Sequence, residues 1–109
     1  MYSIFPVIRP YFDGTTASSL NEARLGYEEF GKEVHVYSPA YLDSEFDQIV
    51  SMANHITFNS FSQWQKYKDR VKASSRPIHC AIRINPEHSE VQKPIYDPCA
   101  KYSRMGVTL

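Results

Sequence analysis

The feature that most constrains this chain is an alternation. Short β-branched or period-two runs take turns with runs of helical period, at a spacing of roughly 22 residues, the scale of one strand and one helix. Thr15-Thr16-Ala17-Ser18 reads as a brief strand. Ser19-Leu20-Asn21-Glu22 has the capping-box pattern and predicts a helix, with Leu20, Ala23, Tyr27 and Phe30 on one face and Gly31 as its stop. Residues 33–38 alternate as a strand, which Pro39 ends. Asp43 or Ser44 then caps a helix that turns Phe46, Ile49, Val50 and Ala53 inward. His55-Ile56-Thr57-Phe58-Asn59 is a third strand, and Ser60 caps a third helix with Phe61, Trp64 and Val71 on its apolar face. After the loop 74–77, residues 78–85 form a fourth strand. Ahead of all this, the apolar spacing of Ile4, Phe5, Ile8, Tyr11 and Phe12 predicts a short helix ending near Pro10, because proline breaks a helix interior. Asp13-Gly14 supplies a turn.

Strands separated by single helices must pair in parallel, through right-handed crossovers. Neither a Gly-x-Gly-x-x-Gly fingerprint nor a P-loop is present. The expectation is therefore an α/β chain forming part of a (β/α)8 TIM barrel, about four consecutive βα units with parallel strands. A whole barrel takes about 250 residues, against 109 in this chain.

The fourth strand carries the clearest functional signal. Arg83 stands near the end of an otherwise apolar run, and such a charge is costly to place unless something anionic or polar meets it. A polar loop of about twenty residues comes next, 86–106, and such loops are commonly functional. Arg83 and this loop read as the rim of a site. Residue chemistry alone equally allows an arginine that simply reaches solvent.

Composition narrows the partners. Lys plus Arg and Asp plus Glu balance at 12 each, which argues against nucleic acid or a membrane surface. No run reaches the ~18 apolar residues of a membrane span, and the first residues lack a signal-peptide pattern, so a cytoplasmic protein with Cys80 and Cys99 reduced is expected. The four histidines show no His-x-x-x-His spacing, and no metal site is expected from spacing. His35 and His79 read as satisfied interior histidines, and Trp64 and Phe61 as core.

Several blocks resemble one family. Residues 5–24, Phe-Pro-Val-Ile-Arg-Pro-Tyr-Phe-Asp-Gly-Thr-Thr-Ala-Ser-Ser-Leu-Asn-Glu-Ala-Arg, look like the early barrel of carboxynorspermidine decarboxylase. Residues 33–41 and 58–64 are similar to its next two strands and the starts of their connections. The series Arg83-Ile84-Asn85-Pro86, Asp97-Pro98-Cys99-Ala100 and Ser103-Arg104-Met105-Gly106 completes the set. The resemblance implies an internal fragment of an alanine-racemase-type barrel, with residues 1–109 as a partial pyridoxal-phosphate-binding domain and the family's C-terminal β domain outside it. It implies a pyridoxal 5'-phosphate-dependent decarboxylase of polyamine (norspermidine or spermidine) biosynthesis, acting on carboxynorspermidine or carboxyspermidine and dimeric at full length.

The same resemblance implies the site residues. Arg83 and Thr16 are expected near the cofactor, and Asp97, Cys99, Ser103 and Arg104 near the substrate. Without the resemblance, Thr16 is equally an ordinary strand residue, Asp97 a turn aspartate before proline, and Ser103 and Arg104 a polar turn. No catalytic residue is assigned, because the family's cofactor-bearing lysine precedes the position matching Met1, and none of Lys32, Lys66, Lys68, Lys72, Lys93 and Lys101 ends an apolar strand. The chain alone is expected to be inactive. Two other readings stand beside this one: a non-catalytic pyridoxal-phosphate-binding barrel protein, and a self-standing small α/β binding module.

Overall fold

In a computed structural model, which describes residues 2–108, four strands form one sheet in the order β1-β2-β3-β4. They are β1 Gly14–Ala17, β2 Glu33–Tyr37, β3 His55–Phe58 and β4 His79–Ile82. Every pairing is parallel. Helices follow the first three strands: α2 Leu20–Leu25, continued by a π-turn over Gly26–Phe30, then α3 Asp43–Met52 and α4 Phe61–Lys72. Ahead of β1, a short helix α1, Phe5–Ile8, lies between two 3-10 turns, Tyr2–Ile4 and Arg9–Tyr11. The α/β class, the parallel strands and the four-unit order match the sequence expectation. The lead-in coil runs one residue past Pro10 because the 3-10 geometry of its last turn seats that proline at a helical start.

Strand periodicity divides the sheet into two faces. Val34, Val36, Ile56 and Phe58 point to one side, and each is almost fully buried. There they meet Leu20 and Ala23 of α2, Phe46 and Ile49 of α3, and Tyr67 and Val71 of α4. Phe46 stacks on Tyr67 with ring centroids 4.0 Å apart. The opposite face carries Thr16, His35, His55 and His79, which the register sets in one row across all four strands. No helix covers that face among the described residues.

Further local details depart from the sequence expectation: β4 covers only His79–Ile82 of the expected 78–85. The Ser19 hydroxyl accepts from the Glu22 N–H as foreseen, but the Glu22 carboxylate reaches Ser18, one residue further back (2.7 Å to its N–H). In the π-turn the backbone accommodates an extra residue per turn, so Gly26 rather than Tyr27 faces the sheet, and Tyr27 is exposed. A Cβ at Gly26 would collide with the Thr15 hydroxyl. Asp43 does not cap α3: Leu42 occupies the cap position without a side-chain bond. Asp43 instead accepts from the Tyr67 hydroxyl (2.8 Å) and pairs with Lys66 (3.0 Å). On α4, Phe61 is exposed, Trp64 packs at the core margin, and Tyr67 fills the place expected for Phe61.

Candidate functional site

Parallel βα architecture gathers strand ends on one side of the sheet, and the loops there are where such folds place their chemistry. Arg83 follows the last residue of β4, and its N–H bonds the Phe58 carbonyl at the end of β3. Its guanidinium reaches across β3 and lies 5.0 Å over the ring of Tyr37, the last residue of β2. Among the described residues no carboxylate pairs with it. One guanidinium nitrogen sits 3.6 Å from Met105 Sδ.

The loop 86–106 is closed at its base by reciprocal backbone bonds. The Val107 N–H donates to the Arg83 carbonyl (2.9 Å), and the Asn85 N–H donates to the Val107 carbonyl (2.8 Å). Gly106 adopts φ +83°, and a Cβ there would crowd the Asn85 nitrogen, so only glycine fits this return.

Asn59 ties the loop to the sheet. Its Oδ1 accepts from the Tyr37 hydroxyl (2.8 Å) and the Gly106 N–H (2.6 Å), while its Nδ2 donates to the Arg104 carbonyl (2.7 Å). Asn59 is held in turn through its N–H, which donates to Gln63 Oε1. Tyr37, Asn59 and Met105 carry this arrangement, and the sequence reading missed all three. The sequence reading takes Asn59 as the last residue of the third strand, whereas β3 ends at Phe58; the reach of Asn59 to residues 104–106 is visible only in three dimensions.

Thr16 faces the uncovered side and lines a shallow depression with His35, Tyr37 and Thr57. Tyr37 is thus shared by the Thr16 depression and the Arg83 guanidinium. The other predicted residues serve their own loop. Asp97 Oδ1 accepts from the Cys99 N–H (2.8 Å), an Asx turn. The Ser103 hydroxyl donates to the Pro98 carbonyl and accepts from the Met105 N–H. Arg104 contributes its carbonyl to Asn59 and leaves its side chain exposed. Cys99 is half-buried. None of these four side chains bonds Arg83 or Thr16 among the described residues. Lys32 donates to the carbonyls of Arg9 and Phe12, far from the strand ends.

A second cluster occupies the same face at the opposite, amino end. Glu33 lies two residues before His35 on β2 and so shares its face, and His55 is the register partner of His35 on β3. Glu33 Oε2 is 3.0 Å from His35 Nε2 and 3.6 Å from His55 Nε2. The rings of His35 and His55 stack at 3.9 Å, and His79 stacks on His55 at 4.9 Å. These histidines lie on the uncovered side rather than in the core, because period two puts them opposite Val34, Val36 and Ile56. The His35 hydrogen bond, foremost, holds the Glu33 carboxyl below its ordinary range. Desolvation, with the neighbouring His35 and His79, lowers His55.

Four parallel strands with helices along one face of the sheet are the architecture of part of a (β/α) barrel. Carboxynorspermidine/carboxyspermidine decarboxylases of Herminiimonas arsenicoxydans and Campylobacter jejuni are 40% and 38% identical over 96% and 93% of this chain. A carboxyaminopropylagmatine decarboxylase of Synechocystis is 48% identical over 98% of it. The crystal structure of the Campylobacter jejuni carboxynorspermidine decarboxylase, complexed with norspermidine, superposes with a TM-score of 0.79 at 30% identity, over 98% of the chain. No protein-family model matches. The chain is thus homologous to one stretch of the carboxynorspermidine/carboxyspermidine decarboxylases, and it spans about a quarter of their length: 27%, 28% and 25% of the three curated relatives.

Proposed function

We propose that this chain supplies the arginine-bearing strand ends and substrate loop of a pyridoxal-phosphate-dependent decarboxylase acting on a carboxylated polyamine. The observation that carries this reading is the Arg83 guanidinium, without a carboxylate partner among the described residues, poised over Tyr37 at the carboxyl end of the sheet. A cation so placed suits an anionic oxygen on a planar ring, and Thr16 lines the depression beside it. These residues fit the edge of the cofactor ring. None of the lysines ends a strand, Lys93 and Lys101 lying in the loop, so neither covalent attachment nor phosphate binding is assigned to them. When bound, the cofactor supplies an electron sink for the charge left as carbon dioxide departs. This chain's own contribution is to orient the ring edge through Arg83 and to shield it from water with the loop that Asn59 anchors. The remaining free oxygen of Asp97 faces the task of meeting a substrate amine.

The substrate is carboxynorspermidine or carboxyspermidine on this reading. The 48% identity to a carboxyaminopropylagmatine decarboxylase favours a second one, in which the amine end carries a guanidine. The cytoplasm as location and a homodimer at full length belong to the same proposal.

The test compares the three substrates. The 109-residue chain alone is expected to release no carbon dioxide and to form no borohydride-fixable linkage with pyridoxal phosphate. Placed within a protein of the relatives' length it is expected to decarboxylate one of the three, and Arg83→Ala to lower kcat/KM by roughly a hundredfold, the scale of one lost electrostatic contact to the reacting system. Turnover by the chain alone, or an Arg83→Ala protein as fast as its parent, overturns the reading.

A further inference from the structure

We infer that Glu33, His35 and His55 form a binding site for a divalent transition cation of the zinc class, clamping β2 to β3 at the amino end of the sheet. The inference does not need the decarboxylase reading: Glu33 and His55 begin their strands, away from Arg83, and only His35, the register partner of Thr16, also borders the depression beside that residue.

Three observations carry it. The first is donor type: two imidazoles and one carboxylate are the set that holds zinc with a coordination position left open, and imidazole nitrogen suits zinc, copper and nickel over calcium or magnesium. The second is distance. The three donor atoms all lie within 4.8 Å of one another, and Glu33 Oε2 stands 3.0 and 3.6 Å from the two Nε2 atoms. Donors bound at about 2.0–2.1 Å around a tetrahedral ion stand roughly 3.3–3.4 Å apart, so the two carboxylate–imidazole distances bracket that spacing, and the stacked rings turn apart to converge their nitrogens on the ion. The third is aim. Both imidazoles turn Nε2 toward the same carboxylate oxygen, and their rings stack at 3.9 Å with His79 on the far side of His55. Donors already gathered around one oxygen lose less entropy on binding than scattered ones.

Metal coordinates the ionised carboxylate and the neutral imidazole, so binding is expected to weaken as pH falls. The ligands come from two neighbouring strands, so the ion ties β2 to β3 across the sheet's uncovered face. The amino end of a βα barrel is away from the loops that carry its chemistry, so the ion's role here is to tie the two strands, with water in its open position.

The experiment uses chelator-stripped protein titrated with Co2+ and then Zn2+. One equivalent of Co2+ is expected to produce a visible ligand-field absorption that Zn2+ abolishes. Glu33→Gln and His55→Ala are each expected to weaken Zn2+ binding at least tenfold, while His88→Ala, in the loop, leaves it unchanged. Far-UV circular dichroism checks that each variant retains its fold. The unmodified protein gives an independent readout: pulsed electron resonance of its Cu2+ form is expected to show two coordinated imidazoles. Absence of the Co2+ band, an imidazole count other than two, or folded Glu33→Gln and His55→Ala proteins that bind as well as the parent overturns the site.

Discussion

The two faces of the sheet differ in almost every respect. On the helix side, Val34, Val36, Ile56 and Phe58 are buried against Phe46, Ile49 and Tyr67. On the other side stand Thr16, Glu33, His35, Tyr37, His55 and His79, with Arg83 at the rim. The strand alternation that makes one face apolar places every other residue where chemistry is possible. The contrast teaches that apolar packing and polar chemistry are divided between alternating positions of the same strands, so substitutions one residue apart act on different properties.

The largest expected effect is on the helix side. Phe46→Ala removes a ring stacked on Tyr67 and in contact with the Tyr41 and Phe58 rings. It is expected to cost about 3–5 kcal/mol, read as loss of soluble yield and of far-UV helicity. Ala81→Ser, on the uncovered face, is expected to stay within about 0.5 kcal/mol. Equal losses from the two would break the comparison.

Gly26→Ala tests the helix side at its tightest point. The added methyl meets the Thr15 hydroxyl, which itself is buried without a hydrogen-bond partner among the described residues. Overpacking of this kind costs about 1–3 kcal/mol, and amide exchange in α2 and β1 is expected to quicken accordingly. Unchanged protection there would show that α2 can shift to make room.

Asn59→Ala probes the rim. It removes three side-chain hydrogen bonds, and the expected result is faster exchange at residues 104–107, by about 1–2 kcal/mol of local stability, with the helix-side core unaffected. Slowed or unchanged exchange would mean the loop is held by its own turns alone.

The smallest effect is on pH dependence. The Lys66 hydrogen bond, then that from Tyr67, lowers Asp43 from its ordinary 3.8. The Ser18 backbone and hydroxyl lower Glu22 from 4.5. Carboxyls lowered in the folded chain stabilise it above their unfolded values, and this contribution is lost as pH falls through the folded values. A shallow acid loss is therefore expected, beginning near pH 4.5 and continuing below 3.8. Asp43→Asn is expected to flatten its lower part, followed by helicity against pH; a parent and variant with identical acid profiles would remove Asp43 from the account.

How much was legible in the sequence varies with the range of the interaction. The strand and helix order was, because alternation and helical period are local, and so were the Ser19 and Ser60 caps. The place of Arg83 at the carboxyl end of β4 was legible because a charge ending an apolar strand is conspicuous. The π-turn was not: its sequence, Gly-Tyr-Glu-Glu-Phe, fits an ordinary helix, and only the close approach to Thr15 selects the wider turn. Tyr67 was hidden for a similar reason, since its hydroxyl needs Asp43 and the Tyr41 carbonyl, brought together by packing of α4 on α3. The Glu33, His35 and His55 group escaped a search for in-chain spacing because its members meet through strand register. Choice of substrate was least legible: the sequence reading held only the two carboxyspermidine-type substrates, and the similarity to a carboxyaminopropylagmatine decarboxylase adds a third.

The backbone bond between Val107 and the Arg83 carbonyl has a mechanical corollary. The residue whose side chain aims at the strand ends is also the anchor point of the returning chain. A pull on residues 104–107 is therefore transmitted by a single peptide unit to the pivot of the guanidinium. Seating of the returning segment and the bearing of that cation are set together, like a latch and its bolt.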